Sequence, residues 1–291
     1  MSLFTQITAY YQSPFQVCDA TLAATLAEVG QQRLMASTGL KAKQYSIANC
    51  VYPATAPGNR PVVLELGEKM PLLELPELSR LASFYEEHGL EPLLYDELLT
   101  GQVSAKLRAA WHLLASVPNV RAGMRAMVKT ILVLRSPDPE IDISYSHPAI
   151  PFSVFVTVGE DCSLISSLRV AESLLHEAMH LKLTLLEEEV ALLQPTSAGV
   201  YYSPWRDENR PARGVLHGIF VFAAVREFYQ AKAIQQQAST TQASDFIAYR
   251  IETITQELAL VNSFADAPDL TYAGRILVNQ LLSLEKAAEN R

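Results

Sequence analysis

A polar line running along an apolar helix limits how this chain can fold more than any other feature. The stretch Ser173 to Leu183 reads SLLHEAMHLKL and lies inside a helical pattern from Ser163 to about Glu189. At 3.6 residues per turn, Leu168, Leu175, Met179, Leu183 and Leu186 form one apolar stripe. Arg169, Ser173, His176, His180 and Thr184 form a polar stripe beside it, and Leu174 and Leu181 border that stripe in turn. Such a helix belongs in the interior, and each of its polar groups needs a partner there, because burial without one is costly.

The spacing of the polar residues suggests a partner. Positions i and i+4 of a helix lie about 40° apart, so His176 and His180 project side by side as a clamp for a divalent metal. Glu177 lies within a turn of both. H-E-x-x-H is a zinc signature in which the glutamate serves as general base. The string also arises by chance, but chance matches fall mostly on solvated, charged helices, and this one has apolar neighbours. Two histidines are too few for a stable zinc or iron site, which calls for at least three protein ligands. His217, in GVLHGIFVFAAVREFY, is the leading third candidate, since a lone imidazole near the start of so apolar a helix is hard to satisfy otherwise. Glu227 lies ten residues on and about 80° round the same helix, which suits a supporting or surface role. His147 is a weaker candidate, in a loop. His88 and His112 read as ordinary surface or core histidines.

Just ahead of His217 lies YYSPWRDENRPARG, with Arg206, Arg210 and Arg213 within eight residues. The planar fork of arginine takes carboxylates two bonds at a time, so the loop reads as an anion clamp beside the metal. The plainer alternative is a surface cluster in which Asp207 and Glu208 pair with these arginines. Arg206 and Arg210 rank slightly above Arg213, which precedes Gly214 and could simply cap the turn.

Together, RVAESLLHEAMHLKL and YYSPWRDENRPARGVLHGIFVF resemble the HExxH-motif family of peptide-modification proteins found beside genes for ribosomally made, modified peptides. The resemblance spans roughly Ile141 to Tyr229, and PAIPFSVFVTV looks like the family's strand ahead of the helix. The resemblance implies hydroxylation of a side-chain β-carbon in a precursor peptide, dependent on iron and 2-oxoglutarate. His176, His180 and His217 would then hold Fe(II), and an arginine of the loop would hold 2-oxoglutarate. A facial set of three protein ligands leaves three adjacent positions for the keto acid and oxygen. Glu177 would then orient a ligand imidazole or touch substrate. Two other expectations stay open: a zinc-dependent metallopeptidase with Glu177 as base, and a non-catalytic peptide-binding maturation partner.

The rest of the chain bounds the setting. Its 291 residues, 49% hydrophobic, suit one large domain or two small ones. A net charge of −8 leaves no global basic footprint for nucleic acid. Three scattered cysteines argue against a disulfide framework, and there is no evident signal peptide or membrane span, so a cytoplasmic protein is expected. The expected fold is mainly α, with a small sheet beside the central helix. Helices are expected over Ala20–Ser37 (capped by Asp19), Glu74–Leu90 (stopped at His88-Gly89), Leu93–Ser116 (ended by Pro118), Val215–Lys232, Ala243–Val261 and Leu270–Ala288. Strands are expected over Val62–Leu66, Ile141–Tyr145 and Phe152–Val158, the last at a sheet edge where a substrate peptide could pair with it. The Pro-rich stretch Pro137–Pro151 suggests a border between a helical region, 1–136, and the metal-site region, 137–291.

Overall fold

A computed structural model describes residues 16–38, 63–75, 78–98, 102–138, 141–235 and 241–288, together with Ile7, Tyr10 and Tyr11. The protein is mainly α with a small mixed sheet and a separate two-stranded hairpin. In chain order the elements are α1 (Ala20–Thr38), β1 (Val63–Glu65), β2 (Leu72–Glu74), α2 (Leu78–Glu87), α3 (Tyr95–Leu98), α4 (Gln102–Ala115) and α5 (Pro118–Met127). They continue with β3 (Thr130–Leu134), β4 (Ser144–Tyr145), β5 (Ser153–Thr157), α6 (Leu164–Glu189), β6 (Val200–Ser203), β7 (Glu208–Pro211) and α7 (Ala212–Gln235). α8 (Thr241–Leu260), a 3₁₀ turn (Asn262–Asp266) and α9 (Tyr272–Ala288) complete the chain.

α6 is the axis of the molecule. Its apolar stripe is fully inside: Leu168, Leu175, Met179, Leu183 and Leu186 are all buried, so truncating any of these leucines to Ala should cost about 2–5 kcal/mol. The helix packs on α7, α4, α5, α1, α8, β5 and β4. Ser163 caps its start, its Oγ accepting the N–H of Ser166 at 3.1 Å. Lys182, on the far side from the histidines, is wholly buried and donates to the carbonyls of Val17 at 2.6 Å and Asp19 at 3.3 Å. Glu227, on α7, accepts the N–H of Val17 at 3.0 Å. The suggested supporting or surface role for Glu227 is therefore corrected: it is a half-buried group that fastens the entrance of α1. Asp19 then opens α1, accepting the N–H of Leu22 at 2.6 Å.

The larger sheet runs in the order β1-β2-β3-β5-β4. β3 and β5 are parallel over five residues, from Thr130 opposite Ser153 to Leu134 opposite Thr157, and every residue of both is buried. The edge placement expected for Phe152–Val158 is thus overturned. β5 lies between β3 and β4, and the short β4 forms the edge and packs on α6. The shift arises because TILVL at 130–134 is itself a strand. A short, mostly apolar run reads equally well as part of a buried helix, so periodicity alone misses it. β2 was missed for its brevity. Within the expected helix over Leu93–Ser116 the described residues form α3 and α4, and Pro118 opens α5 from its first position, where its missing N–H is harmless. At the end of α2, Gly89 takes φ +62°, and the N–H of Leu90 returns to the Tyr85 carbonyl at 2.8 Å.

The stretch from Leu193 to Gly214, read from sequence as loop, contains the antiparallel hairpin β6–β7, which packs on α7. Asp269 holds its base: Oδ1 accepts the N–H groups of Ala198 at 3.0 Å and Gly199 at 3.1 Å, and Oδ2 accepts the Tyr201 hydroxyl. The Tyr201 hydroxyl, with the other donors, holds the Asp269 carboxyl down to about 2. A depressed carboxyl contributes stability above its unfolded value of about 4, and the contribution is lost as pH falls toward about 2. Melting temperature should therefore fall across that window by a component that Asp269→Asn lacks. Parallel pH profiles for the two proteins would refute the anchor.

Candidate functional site

α6 and α7 bring the three histidines into one row. His176 Nε2 lies 3.1 Å from His180 Nε2, and His180 Nδ1 lies 3.0 Å from His217 Nδ1. His217 Nε2 in turn meets Glu187 Oε2 at 3.0 Å. One proton pattern satisfies every contact. His217 donates from Nε2 to the carboxylate, His180 donates from Nδ1 to His217, and His176 donates from Nε2 to His180. Each ring is then a neutral imidazole with one N–H. Burial supports neutrality: it lowers His176 to about 4, with help from the nearby Arg206 charge, and lowers His180 to about 3, with help from its neighbours.

Neutral imidazole is the form that binds a metal. Two nitrogens bound to one ion at about 2.1 Å and roughly a right angle sit about 3 Å apart, so the His176–His180 separation suits neighbouring ligands of one ion. His217 stands in the row but addresses the other nitrogen of His180. Among the described residues, no three His, Cys, Asp or Glu side chains already converge as a metal shell.

Glu187 is the residue the sequence reading missed. It lies seven residues after His180, two turns along the same helix face, and that spacing was the available signal. Arg213 donates to its Oε2 from Nε at 3.0 Å and Nη2 at 2.7 Å. Burial pushes the Glu187 carboxyl up, but the bonds from His217 and Arg213 outweigh it and leave it lowered. Arg213, one of three candidates for an anion clamp, is thus occupied in holding Glu187 in place.

Glu177 is 4% exposed, and both of its oxygens are engaged: Oε1 by the Ser144 hydroxyl at 2.7 Å, Oε2 by the Ser146 hydroxyl at 2.6 Å. Oε1 also lies 3.9 Å from His176 Nε2. His147 lines the same cavity, but its Nδ1 accepts the N–H of Ala149, and its ring lies beside His88 rather than in the row.

These groups surround a cavity of about 1250 Å³. Five arginines line it, Arg169, Arg206, Arg210, Arg213 and Arg250, against three carboxylates, Asp142, Glu172 and Glu177, so the cavity is basic within an acidic chain. Arg169 pairs with Asp142 at 2.7 Å, Arg250 pairs with Glu172 at 2.5 Å, and Arg210 approaches Glu208 at 3.7 Å. Arg206, the remaining arginine, is exposed and makes no ion pair among the described residues. It lies at the β6–β7 turn, next to Trp205, whose ring stacks on Phe222 at 5.0 Å and 7°. Gly218, directly after His217, makes that stack possible. A Cβ there would land inside the van der Waals envelope of the Trp205 ring.

No family model matches the chain, and neither does any curated protein.

Two outcomes follow from this geometry. Gly218→Ala should displace Trp205 from Phe222, which would appear as a red shift in tryptophan emission and a loss of about 1–3 kcal/mol of stability. Unchanged emission would mean that the ring rests elsewhere. Glu187→Gln should remove the charge that holds the proton on His217 Nε2, giving a mixture of tautomers in nitrogen NMR where the parent shows one. A single unchanged tautomer in the variant would remove Glu187 from the site.

Proposed function

We propose that this protein is an oxygenase dependent on Fe(II) and 2-oxoglutarate that hydroxylates a side-chain β-carbon in a ribosomally made precursor peptide. The observation that carries the reading is Arg206: an arginine without an ion pair among the described residues, lining the cavity that holds His176, His180 and His217, and close enough to His176 to lower its basicity. A peptidase needs a metal, a water and a base, and has no use for that cation unless its substrate is anionic. A keto diacid needs a cation for its distal carboxylate, and a guanidinium suits it.

The donor set fits iron in its chemistry, being three imidazoles, two of them held neutral by burial and at the separation of neighbouring ligands. Binding would have to draw His217 out of its line with His180 toward the shared ion. The ion would supply oxygen activation, coupled to oxidative decarboxylation of 2-oxoglutarate to succinate and carbon dioxide. Within that reading Arg206 holds the co-substrate carboxylate, with Arg210 beside it. The Trp205–Phe222 stack supplies an apolar wall beside them. Glu187 is a positioning residue that orients His217.

The direct test adds oxygen to anaerobic protein charged with iron, 2-oxoglutarate and a neighbouring precursor peptide. Succinate and a peptide heavier by one oxygen atom are expected, and the absence of both sinks the reading. His176→Ala, His180→Ala and His217→Ala should each abolish iron binding in a calorimetric titration. Arg206→Lys should raise the KM for 2-oxoglutarate about tenfold or more with iron binding intact, since a point charge does not reproduce the fork. One observation favours a second reading: Glu177 lies in the same cavity, 3.9 Å from His176. Zinc-dependent cleavage of a peptide, lost in Glu177→Gln, would mark that outcome.

A further inference from the structure

We infer that the outer edge of β4 is the docking rail for the peptide, and that the segment it takes is an extended one carrying acidic side chains. The inference deepens the proposed function and relies on it only for the existence of a peptide ligand.

β4 is the last strand of the sheet, and among the described residues nothing pairs with its outer side. Its direction in space is fixed. Ile143 faces β5, since its carbonyl accepts the N–H of Thr157 at 2.8 Å and its own N–H donates to Thr157 Oγ1 at 2.9 Å. Backbone groups alternate along an antiparallel strand, so the N–H and carbonyl of Ser144 turn away from β5, toward the open side. Side chains alternate as well. Ser144 and Ser146 point to one face, where they grip the two oxygens of Glu177. Tyr145 points to the other face, where its hydroxyl meets His88 Nδ1 at 3.0 Å. The strand is thereby pinned on both faces while its edge stays open, and Ser144 to Pro148 line the same cavity as the histidine row. Natural edges are commonly blunted by brevity, lysine, proline or a bulge; β4 is short, at two residues, but the ISYSH run has none of the other devices before Pro148.

The cavity has room for this occupant. Sites for small molecules run to about 300–1000 Å³, and this one, at about 1250 Å³, exceeds that range. Its charge selects the occupant. With Arg206 assigned to the co-substrate, Arg210 remains part-exposed with only a 3.7 Å approach to Glu208. A carboxylate on an incoming strand would give Arg210 a closer partner. Strand addition supplies affinity through backbone bonds, and the alternating side chains supply selectivity.

The test measures binding calorimetrically with the full chain, in the absence of metal and 2-oxoglutarate. Failure here therefore leaves the oxygenase reading intact, and failure of that reading leaves this result intact. The probe is a blocked octapeptide of alternating Thr and Glu, compared with its Thr and Lys counterpart. The acidic peptide should bind about tenfold tighter or better, and N-methylation at one alternating set of its amides, not the other, should weaken it by a similar factor. Ser144→Pro, which removes the outward N–H, should reproduce that loss. Equal affinity for the basic peptide, equal effects of the two methylation sets, or no binding of the acidic peptide at millimolar concentration would each overturn the inference. The methylation series decides the matter even if the proline variant does not fold.

Discussion

Everything in this site depends on how three imidazoles are satisfied inside an apolar helix pair. α6 and α7 are buried along most of their length, so His176, His180 and His217 are open only toward the cavity they line. A buried polar group left unpaired costs on the order of 1–3 kcal/mol, and three rings carry six nitrogens. The row solves this locally. Each ring partners the next, and the end of the row is tied to the carboxylate of Glu187, which Arg213 fixes in turn. Burial keeps His176 and His180 neutral, so a divalent ion can replace the contact between them without first removing a positive charge.

The hairpin belongs to the same device. Its base is tied down by Asp269, and its turn carries Trp205 and Arg206 over the start of α7. Gly218 leaves the space in which Trp205 lies, so the PWR and LHG strings of the sequence meet as ring over glycine. With Phe222 one helical turn further on, the indole forms part of the cavity wall next to the one lining arginine that lacks an ion pair among the described residues. Local sequence strings here describe a three-dimensional contact between a hairpin and a helix.

The histidine clamp was legible because i, i+4 spacing on a helix is rigid, and the third histidine because an apolar helix leaves an imidazole few alternatives. The helices were legible for the same reason, being long and periodic, with Asp19 and Gly89 marking ends. The sheet was legible in part: β1, β4 and β5 fall within runs expected as strands, whereas β2 and β3 do not. TILVL is apolar at four of its five positions because both of its faces are covered, so the alternation that betrays a strand is absent. Glu187 escaped notice because its role depends on where α7 crosses α6, and helix crossing is a property of packing, which periodicity does not encode. Glu227 shows the converse error. Its distance round the helix from His217 was right, but the segment it fastens, Val17 to Asp19, is more than two hundred residues away in sequence.

Glu177 is where the two chemistries suggested by H-E-x-x-H part company. A general base must reach the proton it takes, at about 2.6–3.2 Å, or through one water. Here both carboxylate oxygens already accept serine hydroxyls within that distance, and the hydroxyls belong to β4 and the residue after it. Turning this carboxylate toward a metal-bound water would release the edge strand from the helix and leave two serine hydroxyls to find other acceptors. A carboxylate used to hold the strand pays no such penalty, and it links the backbone that would receive a peptide to the helix that carries His176 and His180. In the proposed reading the motif's glutamate therefore sets the distance between substrate and metal, and the same five-residue string that serves hydrolysis elsewhere serves alignment here.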